Sequence, residues 1–259
     1  MSARSSFQIE AACAPLLREI GLDADGVFTD PRIVVWRSLP DRENATLDHL
    51  RSDGSKVRLH VKRYPPAAGF MAGQEMAGYR LLREASVPAA PIIASGSRAD
   101  GSSFIILEDL TGYTPADKLL EQGFPFDRLL NATADLAALL HGAQLHHRDL
   151  YLCHFMIKPG PDSVDAKLID MARVSRMKSV LTRQRWIVKD LAQFWYSTLS
   201  VTVNDSQRRA WLERYCRSRN ISADRLTGPI QRKAAAIARH DAELRKKQPR
   251  RNVSIGEQA

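Results

Sequence analysis

His147-Arg148-Asp149, His154 and Asp170 have the residue types and spacing that could do chemistry in this chain. Asp149 sits in a polar turn after a helix-like run. His154 follows it by five positions, and Asp170 closes the short apolar stretch Ala166-Lys167-Leu168-Ile169. The order H-R-D-x-x-x-x-N, then a strand ending in Asp, is the pattern of a phosphoryl-transfer site. On that pattern Asp149 accepts the proton of an attacking hydroxyl, and Asp170 holds the magnesium that bridges the phosphates. His154 occupies the Asn slot and is placed with the metal. Imidazole can bind divalent cations, but magnesium prefers oxygen, so His154 is expected on a metal-bound water or on the nucleotide.

Other parts of such a site appear in the expected order. Lys62, near the end of an alternating segment, stands where V-A-I-K puts its phosphate-pairing Lys. A strand Lys is usually a solvated face residue. Glu75, in the helix that follows, is the carboxylate that could hold it in place. Phe104 to Leu110 reads as a strand running into a crossing, where backbone groups of Glu108 and Leu110 would meet the adenine edge. Asp170-Met171-Ala172-Arg173 stands in place of D-F-G, and Arg173 is positioned to touch an anionic acceptor or simply to face water. Asp190, in Lys189-Asp190-Leu191-Ala192, is expected to cap the backbone of the His-Arg-Asp turn from beneath. No G-x-G-x-x-G lies between Trp36 and Thr46, so phosphate cover must come from elsewhere, with Arg37 or Arg42 as candidates.

These side chains need elements to carry them. Ser6 to Ile20 reads as an uneven amphipathic helix interrupted by Pro15. Strands are expected over Arg32–Arg37, Thr46–Arg51 and Lys56–Tyr64, with a polar connection from Ser38 to Ala45 and a turn at Asp53-Gly54. Gly73 to Ser86 reads as the one helix among them. Strands at Ile92–Ser95 and Ser103–Leu107 follow. Past Glu108 the periodicity turns helical: Pro115–Gln122, Phe126–His141, Arg185–Leu199, Ser206–Arg219 and Leu226–Lys247. The expected fold class is therefore α+β. Residues 1–108 would form a small antiparallel sheet lobe with one long helix, and 109–259 a compact helical lobe with the catalytic loop and a basic tail.

Composition sets outer limits. The 259 residues are 44% hydrophobic and 26% charged, which suits a folded chain with a sizeable core. A net charge of +9 suits an anionic partner. Cys13, Cys153 and Cys216 are scattered and odd in number, which argues against a disulfide framework or a zinc site and for a reducing cytosol. No apolar run is long enough to cross a bilayer, and Glu10 and Pro15 spoil a signal-peptide core. Any membrane contact is therefore expected from the side, helped by the basic tail Arg245 to Arg251. Nothing resembles a nucleic-acid recognition motif, and no nucleic-acid partner is expected.

With these residues in view, the chain resembles the Kdo/WaaP-type lipopolysaccharide core kinases. The His147 to Phe155 segment is similar to the family's His-Arg-Asp run ending Cys-His-Phe. Leu168 to Arg173 is similar to its Ile-Asp-Leu-x-Arg, and Arg185 to Ala192 to its Arg-x-x-x-Lys-Asp-Leu-Ala. The resemblance spans roughly Arg32 to Ser200. It implies a protein-kinase-like bilobal fold, with ATP and Mg2+ as nucleotide and metal. It also implies transfer to a heptose or Kdo hydroxyl of the lipopolysaccharide inner core, at the cytoplasmic face of the inner membrane. The short interval between Asp170 and Asp190 leaves little room for a protein-docking platform and favours a small or lipid-linked acceptor. Two rivals remain. A kinase of cationic small molecules would collect carboxylates, against the basic balance here. A pseudokinase scaffold would not need Lys62, Glu75, Asp149 and Asp170 together.

Overall fold

The computed structural model describes residues 5–247. These divide into two compact units. One runs to Arg80 and includes Ala90–Thr111; the other comprises Leu81–Ala89 and the chain from Gly112 onward.

The first unit is built on a six-stranded antiparallel sheet. Its strands are β1 (Ser6–Ile9), β2 (Ile33–Leu39), β3 (Arg42–Leu50), β4 (Lys56–Tyr64), β5 (Ile92–Ser97) and β6 (Ser103–Glu108), in the order β1-β5-β6-β4-β3-β2. Period two along β4 sends Leu59 and Val61 into the core and leaves His60, Lys62 and Tyr64 on the other face. The core face is closed by two short helices, α1 (Ala14–Ile20) and α2 (Gly26–Thr29). Leu17, Ile20 and Val27 pack there with Leu47, Leu59, Val61, Phe104 and Ile106. The long helix α3 (Phe70–Glu84) presents Glu75 to the Lys62 and Tyr64 face.

Two local expectations fail here. Ser6–Ile9 is an edge strand, not the start of a helix; the helix begins only at Ala14, with Pro15 in its first turn, where the missing N–H does no harm. β1 pairs with β5 in register Phe7↔Gly96, and a side chain at Gly96 would collide with the Ser6 carbonyl and the Phe104 ring. Nor is Ser38–Ala45 a long polar connection. β2 and β3 are joined tightly at Pro40-Asp41, and the register Leu39↔Arg42 absorbs most of the segment into the ladder.

The second unit is mainly helical: α4 (Ala116–Glu121), α5 (Phe126–Gly142), α6 (Val180–Ser197), α7 (Asp205–Arg219) and α8 (Ala223–Lys247). α5 packs on α7, and α6 on α8. Phe194 stacks on Trp211 at 3.9 Å between ring centres, and the buried Trp211 indole donates to Thr133 Oγ1 at 2.9 Å. α6 starts at Val180 rather than Arg185 because Ser179 caps it, its Oγ accepting from the Leu181 N–H. Small strands frame the His147–Asp170 segment. β7 (Thr114–Pro115), β9 (Phe155–Pro159) and β10 (Val164–Leu168) form one sheet, and β8 (Leu145–His146) pairs with β11 (Ser175–Arg176). Of the basic tail, Gln248 to Arg251 lies outside the described residues. Among the described residues no helix is long and apolar enough to cross a membrane.

Candidate active site

The hairpin β9–β10 brings the His147–His154 segment and Asp170 together. Its register closes on Phe155↔Leu168, so the next residues outward are His154 and Ile169, and the Ile169 N–H donates to the His154 carbonyl at 3.1 Å. Asp170 follows at once. His154 Nδ1 donates to the Asp149 carbonyl at 2.5 Å. That bond fixes the proton on Nδ1 and turns Nε2 toward Asp170, 3.8 Å from Oδ2. Asp149, His154 and Asp170 are thus gathered in the second unit, as their spacing suggested.

The turn holding Asp149 is unusual backbone. Arg148 and Asp170 both have positive φ, 71° and 61°, a region side chains other than glycine rarely adopt. Asp190 holds the first of these bends. It is fully buried on α6 and accepts from the N–H groups of His147 at 2.7 Å and Arg148 at 2.9 Å, and from His141 Nε2 at 3.3 Å. Burial pushes the Asp190 carboxyl up, but the His141 bond and these N–H donors outweigh it and hold it below the ordinary carboxylate range. The buried His147 ring ties the turn to the residue before Asp170, Nε2 donating to the Ile169 carbonyl at 3.1 Å.

Two residues that shape the site escaped the sequence reading. Gln193 lies one helical turn after Asp190 and clamps the turn from both sides: its Oε1 accepts from Leu150 N at 3.1 Å, and its Nε2 donates to the Arg148 carbonyl at 2.7 Å. The i, i+3 relation to Asp190 was the available signal. Tyr64 is two positions past Lys62, hence on the same strand face, and its hydroxyl donates to Glu75 Oε2 at 2.8 Å. Glu75 is 1% exposed and also accepts from Lys62 Nζ at 2.6 Å. The ammonium is therefore held by a carboxylate that is itself fixed.

Arg173 does not simply face water. Its Nη1 donates to both oxygens of Asp149, at 3.0 and 2.9 Å. Lys189 is nearby in charge terms: burial first, then the Arg173 guanidinium, push its ammonium below the ordinary lysine range. Glu108 ends β6 with its N–H donated to the Pro91 carbonyl at 3.0 Å. Beyond it, Asp109 takes His60 Nε2 at 2.7 Å and the Thr111 hydroxyl, bracketing Leu110. Arg42 lines a cleft of about 370 Å³ with Phe28, Arg63 and Arg98; Lys62, Glu75, Glu108 and Leu110 do not line it.

The donor set fits magnesium only in part. Asp170 supplies a hard oxygen and His154 a nitrogen. Among the described residues no group of three or more His, Cys, Asp and Glu forms a self-sufficient cage. Magnesium commonly needs only one or two carboxylates when phosphates and waters complete its shell.

His146 gives the loop a pH dependence. It is buried, stacks on Trp186 at 4.5 Å and bonds to the Ser175 hydroxyl at 3.1 Å. Burial is the main cause that lowers its pKa from 6.5 to about 4. The unfolded chain therefore takes up this proton first, and stability falls as pH drops from 6.5 to about 4, then levels for this group. Urea unfolding should show a loss of about 2–3 kcal/mol over that window, reduced in His146→Phe. Equal slopes for the two proteins would remove His146 as the cause.

The chain is similar to known proteins in sequence and in fold. A family model described as "Lipopolysaccharide kinase (Kdo/WaaP) family" matches residues 32–215. The lipopolysaccharide core heptose(I) kinase WaaP of Pseudomonas aeruginosa is 31% identical over 161 residues, covering 56% of this chain and 59% of the relative. The protein of the same name from Escherichia coli K12 is 28% identical over 126 residues, covering 42% and 44%. The matched parts thus span less than two thirds of either curated relative. Among solved structures, "WaaP in complex with acyl carrier protein" superposes with a TM-score of 0.67 at 26% identity, covering 89% of this chain and 98% of that one. An aminoglycoside-3'-phosphotransferase of type VIII shares the fold alone, with a TM-score of 0.53 at 18% identity over 77% and 92% of the two chains. The α+β class expected from the element order, and the protein-kinase-like fold implied by the resemblance, are the ones found. With the match covering the greater part of its length, this chain belongs to the lipopolysaccharide kinase (Kdo/WaaP) family.

Proposed function

We propose that the protein is an ATP-dependent phosphotransferase that phosphorylates a heptose or Kdo hydroxyl of the lipopolysaccharide inner core. The observation that carries this reading is the convergence of Asp149, His154 and Asp170 through one hairpin, with Arg173 laid across the base. Lys62, steadied by Glu75, would hold nucleotide phosphates. The backbone around Glu108 and Leu110 would meet the adenine. Asp170, with His154 beside it, would hold Mg2+, which when bound neutralises charge on the transferring phosphoryl group. Asp149 orients the acceptor hydroxyl. As its oxygen bonds to the γ-phosphorus and the bond to ADP breaks, the released proton passes to the Asp149 carboxylate.

The charge around Asp149 speaks for the acceptor class. Arg173 reaches the base directly, and Lys189 lies within its influence. Such an arrangement suits a sugar already bearing phosphate or carboxylate rather than a cationic aminoglycoside. Peripheral action at the cytoplasmic face of the inner membrane follows from a lipid-linked acceptor. An acyl carrier protein is a further partner to test, given the complex formed by the related WaaP structure.

Incubation with ATP, magnesium and a panel of core oligosaccharides, followed by mass spectrometry, should give a sugar carrying one added phosphate. Lys62→Met should lower kcat/KM by about 10²-fold or more without unfolding the chain. No phosphorylated product with any core sugar would reject the reading. Unchanged turnover in the Lys62 variant would mean that another residue holds the phosphates.

A further inference from the structure

The stretch between Asp170 and Asp190 carries more charge than the proposed chemistry uses. From residue 171 to 189 it contains Arg173, Arg176, Lys178, Arg183, Arg185 and Lys189, and no Asp or Glu. Arg173 is engaged by Asp149 and Arg176 by Glu84 at 3.0 Å. No acidic partner is found among the described residues for Lys178, Arg183 or Arg185. At the turn in this stretch α6 opens on Val180 and Leu181, 75% and 93% exposed; Leu181 is the most exposed large apolar side chain among the described residues.

Folding stability does not account for these choices. The first turn of a helix favours acids, because its free N–H groups carry partial positive charge. Here it has none and holds Arg183 instead. Two aliphatic side chains are held out in water by a well-formed cap, with Ser179 accepting from the Leu181 N–H. An exposed apolar pair flanked in the chain by Lys178, Arg183 and Arg185, none of them on a carboxylate among the described residues, is complementary to one kind of surface, an apolar layer beneath a sheet of anionic phosphates. An acidic protein partner would need a shaped patch of about 800 Å² on each side, and two aliphatic residues at a tip supply no such face.

We propose that the Lys178–Arg185 turn is a membrane-docking element. Val180 and Leu181 enter the interfacial layer of an anionic bilayer, and Lys178, Arg183 and Arg185 meet its phosphates. The inference rests on the reading of a lipid-linked acceptor, but it is tested without ATP or acceptor.

The full chain is sedimented with vesicles of phosphatidylcholine alone and with phosphatidylglycerol added. The native protein should bind only the anionic vesicles. The double variants Val180→Asp/Leu181→Asp and Lys178→Glu/Arg185→Glu should each bind them about tenfold more weakly or worse. Both variants should keep native thermal unfolding and native phosphorylation of a lipid-free core oligosaccharide. Native-like vesicle binding by both variants would overturn the proposal. So would loss of binding to an acyl carrier protein with vesicle binding intact, which would assign the turn to a protein partner. If no oligosaccharide is phosphorylated by any version, the kinase reading fails separately, and the vesicle comparison still decides the docking element.

Discussion

Asp149→Asn should lower kcat by about 10²–10⁴-fold, the usual contribution of a general base, while ATP still binds. The amide keeps the volume and can still accept from Arg173, but it cannot take up the proton of the acceptor hydroxyl. Asp149 is well prepared for that role. Gln193 and Asp190 fix the backbone on either side of it, and its carbonyl anchors the His154 ring. Phosphorylation of a core oligosaccharide, followed with ATP and acceptor varied separately, distinguishes the cases. A fall in kcat with the KM for ATP nearly unchanged supports the assignment. Turnover within a few-fold of native would assign proton acceptance elsewhere and leave Asp149 as a positioning group for Arg173.

Asp190→Ala should destabilise the second unit by about 3–5 kcal/mol, the scale of removing one partner from a buried charged network. The carboxylate has no exposure and gathers two backbone N–H groups and the His141 ring. Its removal leaves those donors buried without acceptors and frees Arg148 from its left-handed backbone. Chemical unfolding should show the loss, and Asp190→Asn should recover part of it because the amide oxygen can still accept. A loss under about 1 kcal/mol would mean that water replaces the carboxylate. Since Asp190 touches no reacting atom, activity in surviving folded protein should fall through the position of Asp149, with turnover affected more than the KM for ATP.

Much of the fold could be read from local patterns. β4 and β6 and the helices α4, α5, α7 and α8 were legible because period two or 3.6 is written in their own residues. β1 was missed because Ile9, Cys13, Leu16 and Leu17 recur at helical spacing and Phe7 was read into that run, although Phe7 and Ile9 are spaced as on one strand face; the free edge of β5 and the bare Gly96 decide for strand. The first turn of α6 was missed because its exposed Val180-Leu181 pair carries no amphipathic signal, and only the Ser179 cap marks it. In the candidate site, motif spacing singled out Asp149 and Asp170, and a Lys on a strand followed by a helix singled out Glu75, which the structure pairs with Lys62.

What the sequence determined by itself, then, is the inventory and its order: the carboxylates, the Lys–Glu pair, the basic balance and the α+β succession. These rest on covalent spacing and local periodicity, which a linear string states directly. Only the tertiary structure decided that Arg173 lies on Asp149, that His154 Nδ1 donates to a carbonyl and turns Nε2 to Asp170, that Gln193 clamps the turn around Asp149, and that Tyr64 bonds Glu75. Those facts depend on hairpin register, on buried polar groups finding partners, and on two residues held at positive φ. Each is settled by packing among distant segments, and no single segment encodes it.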